Sequence, residues 1–233
     1  MHTIIPTPRW MQKKVPRIIQ YLILTVTSIL VFIPIVILLF GSVKTTGQMY
    51  SHPYSIPNSP NWNNIINILS TPSFWRLMKN SLIVMLSTTA VTVFVCALVA
   101  FVFARMEFRG KNFFFNLFTL GLMFPINVAI LPVYFVLRQM EQFGINMIDS
   151  LAGVILVQTA FQLSGNIMIL RGFFTAVPQD LQDSAYIDGC TNFDFFWRIM
   201  LPLVKPSLAA VAALVMIASW NDLLVLLVVL TDD

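Results

Sequence analysis

NSLIVMLSTTAVTVFVCALVAFVFA, residues 80–104, contains no Asp, Glu, Lys or Arg, and Lys79 and Arg105 bound it on either side. A helix needs about 20 predominantly apolar residues to cross the hydrocarbon core of a bilayer, so this run is long enough. Its Ser and Thr residues are polar without charge, and a helix satisfies its own backbone groups, so nothing in the run resists insertion. An apolar residue gains about 0.5 kcal/mol on insertion, whereas a central charge costs about 3 kcal/mol, so the placement of charges decides the class. Working outward, four more runs qualify: 18–40, 112–137, 150–170 and 207–230. All but the last are free of charge, and the last carries only Asp222. Of 233 residues 58% are apolar and 10% charged, too little polar surface to coat a globule in water. Short alternating segments of about 10 residues, the mark of a strand barrel, are missing. The expectation is an all-α integral membrane protein with five transmembrane helices in one domain over residues 1–233.

The first run is longer than the apolar core of a cleavable leader, about 7–15 residues, and reads as a retained signal-anchor helix. Placing the N-terminus inside puts Arg9, Lys13, Lys14, Arg17, Arg105, Arg109, Lys111, Arg171, Arg198 and Lys205 on the cytoplasmic side. Only Lys44, Arg76, Lys79 and Arg138 are left outside, which is the arrangement the positive-inside rule favours. The net charge of +4 therefore belongs to the membrane surface and not to a nucleic-acid partner. The outer segment 41–79, rich in Pro, Asn and Ser, reads as an ordered loop with a short helix near 62–69. Cys96 and Cys190 make no metal spacing, and lying at opposite depths they are not expected to pair.

The segment 171–206 is the most informative. Pro178 can open a helix whose first turns carry Asp180 and Asp183 at the positive end of the dipole, running to Ile187. Gly189 then allows a sharp turn and leaves room for another surface. Thr191 or Asn192 can cap a second helix, which presents Phe193, Phe196 and Ile199 on one side and stops before Pro202. The product is a helix–Gly turn–helix joined to spans 4 and 5. It reads either as a lever for a cytoplasmic partner or as a packed interhelical loop with no partner.

Asp183-Ser184-Ala185, Asp188-Gly189 and Leu201-Pro202, at this spacing, resemble the signature loop of ABC-importer permeases. Asp183 and Ser184 stand where that family more often has Glu and Ala, which preserves charge sign and size. Residues 80–230 are similar to the carbohydrate (maltose-type) branch, through Phe124-Pro125, Pro132-Val133-Tyr134, Phe143-Gly144, Arg171-Gly172-Phe173-Phe174 and Trp220-Asn221. The resemblance implies a permease subunit of a binding-protein-dependent importer that moves a sugar or oligosaccharide by alternating access. It implies that Asp183, Ser184, Ala185, Tyr186, Asp188, Gly189, Leu201 and Pro202 form the ATPase-coupling loop. The implied partners are a second homologous permease, an ABC ATPase dimer, an extracytoplasmic sugar-binding protein and the lipid bilayer, with no nucleic acid. ATP and Mg would sit on the ATPase subunits, and this chain would bind no cofactor. Family members usually have a sixth span, so the chain is expected to be a family-type core lacking its last helix.

Gln158, Gln162 and Asn166 fall on one helical face of span 4. They read either as a pathway lining that hydrogen-bonds sugar hydroxyls or as interhelical glue. Trp220, Asn221 and Asp222 in span 5, and Asn127 beside Pro125 in span 3, are further pathway candidates. Pro125 and Pro132 are expected to kink span 3. The sequence has no phosphate-binding Gly-rich loop with its Lys, so ATP hydrolysis falls to another chain and this one is not an enzyme. An ion-coupled secondary transporter would need an inverted repeat and ionisable residues at depth, and only Asp222 is on offer. A permease for another solute, such as glycerol phosphate, is the closer rival. A phosphorylated cargo would favour Lys or Arg at depth, where these spans have none.

Overall fold

The computed structural model describes residues 17–57 and 59–230. Arg9, Lys13 and Lys14 of the orientation argument, together with Asp232 and Asp233, lie outside the described residues. Among the described residues all regular structure is helical. The chain divides into two compact units, Met1–Trp75 and Arg76–Asp233.

In the first unit, α1 (Arg17–Ser42) is a 26-residue helix with Pro34 inside it and apolar side chains exposed along its length. That exposure fits a helix whose solvent is hydrocarbon. Two short helices follow, α2 (Thr46–Ser51) and α3 (Asn63–Ser70). α3 lies where the sequence places a helix. α2 is additional, and its signal is the Thr45/Gln48 capping box. Lys44 is 2% exposed. Its ammonium donates to the carbonyls of His52 and Pro53, each at 2.9 Å, while Asn64 Nδ2 donates to the Lys44 carbonyl at 2.8 Å. A buried cation is tolerated here because carbonyl oxygens replace its water.

The second unit is built on α4 (Pro72–Arg105), which begins just before the division and has 34 residues, about 51 Å of helix. Then come α5 (Lys111–Gly121), α6 (Ile126–Glu141), α7 (Leu151–Ala176) and α8 (Gln179–Ile187). After Gly189 the chain forms α9 (Asn192–Asp194), a π-helical turn (Phe195–Met200), α10 (Leu201–Leu203), α11 (Lys205–Trp220) and α12 (Leu223–Val229). α5, α6, α11 and α12 all pack against α7.

Among the described residues three helices, α1, α4 and α7, are long and apolar enough to cross a membrane, and the number reaches five if each of two bent pairs, α5 with α6 and residues 192–203 with α11 (76°), counts as one span. The spans differ from the sequence reading in shape. Residues 112–137 are not one kinked helix: α5 and α6 meet at 104°. α5 already ends at Gly121, and Pro125, extended at ψ 131°, caps the start of α6, whereas Pro132 is absorbed inside α6. Residues 207–230 are likewise interrupted, at Asn221-Asp222, because Asp222 Oδ1 accepts from the Val225 amide at 3.2 Å and starts a new helix. Span 4 runs on to Ala176, so the connecting segment is shorter than expected.

Two apolar cores lie along the unit. One gathers Cys96, Ala97, Ala100, Phe101 and Phe103 of α4 with α7, α11 and the segment 185–204. The other joins Val84, Leu137, Val154, Val157, Val225 and Val229.

Candidate functional site

The segment 179–203 forms an elbow. α8 ends at Ile187, and Gly189 turns the chain at φ +84°, a left-handed conformation that side chains resist. Thr191, not Asn192, caps the second arm, in a capping box with Asp194. This arm does not stop before Pro202. It continues to Leu203 through the π turn Phe195–Met200, whose i→i+5 bonding includes Leu201 N to the Phe196 carbonyl. The wider turn also re-aims the side chains. Phe195, Phe196 and Met200 are buried, whereas Phe193 is 70% exposed and Ile199 half-buried. Of the expected face 193/196/199, Phe196 and Ile199 pack on the core and Phe193 does not, while Phe195 and Met200, five residues apart, join it. Tyr186 braces the elbow: its hydroxyl accepts from Gln182 Nε2 at 2.8 Å and donates to Asn192 Oδ1, and its ring meets Phe195 edge-on.

Of the residues expected to meet the ATPase, Asp183, Ser184, Tyr186, Asp188, Gly189 and Pro202 are exposed and Leu201 is half-buried. Ala185 is 5% exposed and belongs to the apolar core around Phe195, so it seats the elbow in its own chain. Ile187, which the sequence reading passed over, is 86% exposed at the tip.

The root of the elbow is gripped by Arg105, the last residue of α4. Its Nε donates to the Phe174 carbonyl at 3.1 Å, and its Nη2 donates to the carbonyls of Phe174 and Val177. These carbonyls close α7, where a helix runs out of its own donors. Arg171, one turn earlier, lays its guanidinium over the Phe115 ring of α5 at 4.0 Å.

Between the two cores sits a polar node. Gln158 is 1% exposed, and its Oε1 accepts from Ser219 Oγ at 2.6 Å and from Thr88 Oγ1 at 3.2 Å. One amide thus ties α4, α7 and α11. Gln162 and Asn166 are half-buried, and Asn166 donates to the Gln162 carbonyl of its own helix. Beside the node a cleft of about 130 Å³ is lined by Ser81, Val84, Ser219, Trp220, Asn221, Asp222, Leu223 and Leu226. The structure therefore brings Trp220, Asn221 and Asp222 together with the node, and leaves Asn127 exposed in the first turn of α6. Thr88, Ser219 and Ser81 were missed. The available signal was the Thr88/Thr92 spacing on one face of α4, which marks a polar stripe without naming its partner.

Residues 95–233 match the model of the family described as binding-protein-dependent transport system inner membrane component. The chain belongs to this family. The matched region contains the elbow, the node's Gln158 and Ser219, and Arg105. This permease subunit is 32% identical, over 92% of its length, to the diacetylchitobiose uptake system permease protein NgcG of Streptomyces coelicolor, of which it covers 70%. It is 33% identical over 94% of its length to the arabinooligosaccharides transport system permease protein AraQ of Bacillus subtilis, of which it covers 77%. Its fold matches a chain of a bacterial ABC transporter involved in the import of the acidic polysaccharide alginate, with a TM-score of 0.77 at 18% identity, covering 94% of this permease and 74% of that chain. The permease is a multi-pass membrane component of an ABC importer and not an enzyme. Its family implies a partner ATPase and a substrate-binding protein.

Proposed function

We propose that this permease is one of two homologous subunits lining the pathway of a sugar or oligosaccharide importer, with its N-terminus and elbow in the cytoplasm. The elbow carries the reading. Within 4 Å of the position a Gly189 side chain would occupy there is nothing, and Ile187 and Asp188 project beside it. This leaves an open seat flanked by an apolar knob and a carboxylate, suited to a groove on an ATPase dimer that holds ATP and Mg. The sugar assignment rests on the similarity to sugar-named permeases and on the cleft chemistry. Hydroxyl, amide, carboxylate and indole groups line it without any Lys or Arg, a set suited to a polyhydroxylated neutral cargo. A phosphorylated cargo would meet Asp222 with no cation to offset it. At about 130 Å³ the cleft falls short of the roughly 300 Å³ at which ligand pockets begin, so this chain supplies one wall and a second permease the other.

The test is co-purification through a tag on this chain, followed by ATPase and uptake assays of Gly189 variants. Recovery of a second permease and an ATPase supports the assignment. Gly189→Ala and Gly189→Asp share the left-handed backbone cost of about 1–2 kcal/mol but differ in reach. Gly189→Ala should retain most uptake, and Gly189→Asp should insert yet uncouple hydrolysis from uptake. Wild-type uptake by Gly189→Asp would sink the coupling role.

A further inference from the structure

The elbow is covalently joined to α7 and α11, and its root is also held from a third helix, α4. Arg105 reaches from α4 and bonds two carbonyls at the point where α7 gives way to α8. Four residues earlier on the same face of α4, Phe101 is 5% exposed and packs on Phe195 and Phe196 of the second arm, at ring-centroid distances of 6.3 and 5.0 Å. α4 thus holds the root of the elbow through hydrogen bonds and its second arm through aromatic packing. Its other end reaches the candidate pathway: Thr88 bonds Gln158, while Val84 and Ser81 line the cleft. From Ser81 to Arg105 α4 is one unbroken helix, about 36 Å long, with no proline in that stretch to absorb a displacement.

We propose that Arg105 is a positioning residue that latches α4 to the root of the elbow, so that α4 carries the elbow's movement to the Gln158 node and the cleft. The proposal rests on the reading of the elbow as the ATPase-docking element. Arg suits the task because its planar fork can hold two carbonyls in fixed directions, whereas a lysine ammonium on a flexible stem holds them loosely. The alternative is that Arg105 only caps α7, in which case its loss lowers the amount of assembled importer without changing what each complex does.

The discriminating quantity is cargo transported per ATP hydrolysed, measured on the full complex in proteoliposomes, since a stability defect scales both rates together. Arg105→Ala should lower that ratio at least tenfold while the unstimulated ATPase rate stays at the wild-type level, and Arg105→Lys should fall between the two. An unchanged ratio in Arg105→Ala, alongside a collapsed ratio in Gly189→Asp, would overturn the latch and leave the elbow reading standing. Unchanged ratios in both would overturn the elbow reading and the latch with it. Should Arg105→Ala fail to assemble, Arg105→Lys decides: a drop of threefold or more supports the latch, and a wild-type ratio overturns it.

Discussion

Removing the Gln158 amide would leave the hydroxyls of Thr88 and Ser219 facing each other in a dry space, each having lost its acceptor. Gln158→Leu should therefore destabilise the permease by about 1–3 kcal/mol in detergent unfolding measurements, the range for orphaning buried polar groups and losing interhelical bonds. Full stability would show that the node is not structural glue. The sequence placed Gln158, Gln162 and Asn166 on one face, and that geometry is correct. What it left open was which of them meets a partner, because Thr88 and Ser219 lie 70 and 61 residues away in the chain. Asp222 is a similar case. Its charge stood out in an apolar run, but its contact is the Val225 amide at the start of α12. Asp222→Asn preserves that cap and should retain uptake, whereas Asp222→Ala should lose about 1 kcal/mol of stability. Uptake abolished in Asp222→Asn would instead assign the charge itself to the cargo.

Helices were legible from their apolar length, and their interruptions were not. A proline marks where a helix is weakened, yet the 104° break between α5 and α6 and the continuity of the second arm through Pro202 are settled by what packs around each site. The π turn was equally hidden, since hydrophobic spacing was read at the α-helical period and the buried set Phe195, Phe196 and Met200 follows another. Close approach between elements left a fainter trace, in glycine. A Cβ on Gly153 of α7 would lie 1.9 Å from the Met147 carbonyl oxygen and 3.2 Å from Val229 Cγ1. Backbone cannot swing aside, so Gly153→Ala should lower the thermal midpoint and the yield of solubilised protein, with an overpacking cost of about 1–3 kcal/mol or more. At Gly121 the obstacle is the Ser164 hydroxyl, which can rotate away, and Gly121→Ala should be far milder. Equal effects in the two variants would refute the distinction.

At the scale of the whole molecule, the charge pattern carries orientation and the motif carries kinship, and neither needs side-chain geometry. Orientation is open to direct labelling. With Cys96 and Cys190 replaced by Ser, an impermeant thiol reagent on intact cells should modify a cysteine at Tyr54, 81% exposed, and spare one at Ile187, 86% exposed. The reverse pattern would invert the permease. The family and the elbow's outline could be read from the sequence because they rest on local spacing. The node, the cleft and the Arg105 grip could not, because each joins segments distant in the chain. The π turn has one further consequence, for insertions and deletions. Its ring holds one residue more than an α-helical turn, so losing any single residue from Phe195–Met200 could be repaired locally by reverting to ordinary helix. Closing the wide turn takes up the missing residue on the spot, so the chain after Met200 keeps its register and Ser219 stays opposite Gln158. A one-residue deletion there should therefore cost less transport than the same deletion within α7, where no wide turn can absorb it and every later side chain of the helix would rotate by about 100°.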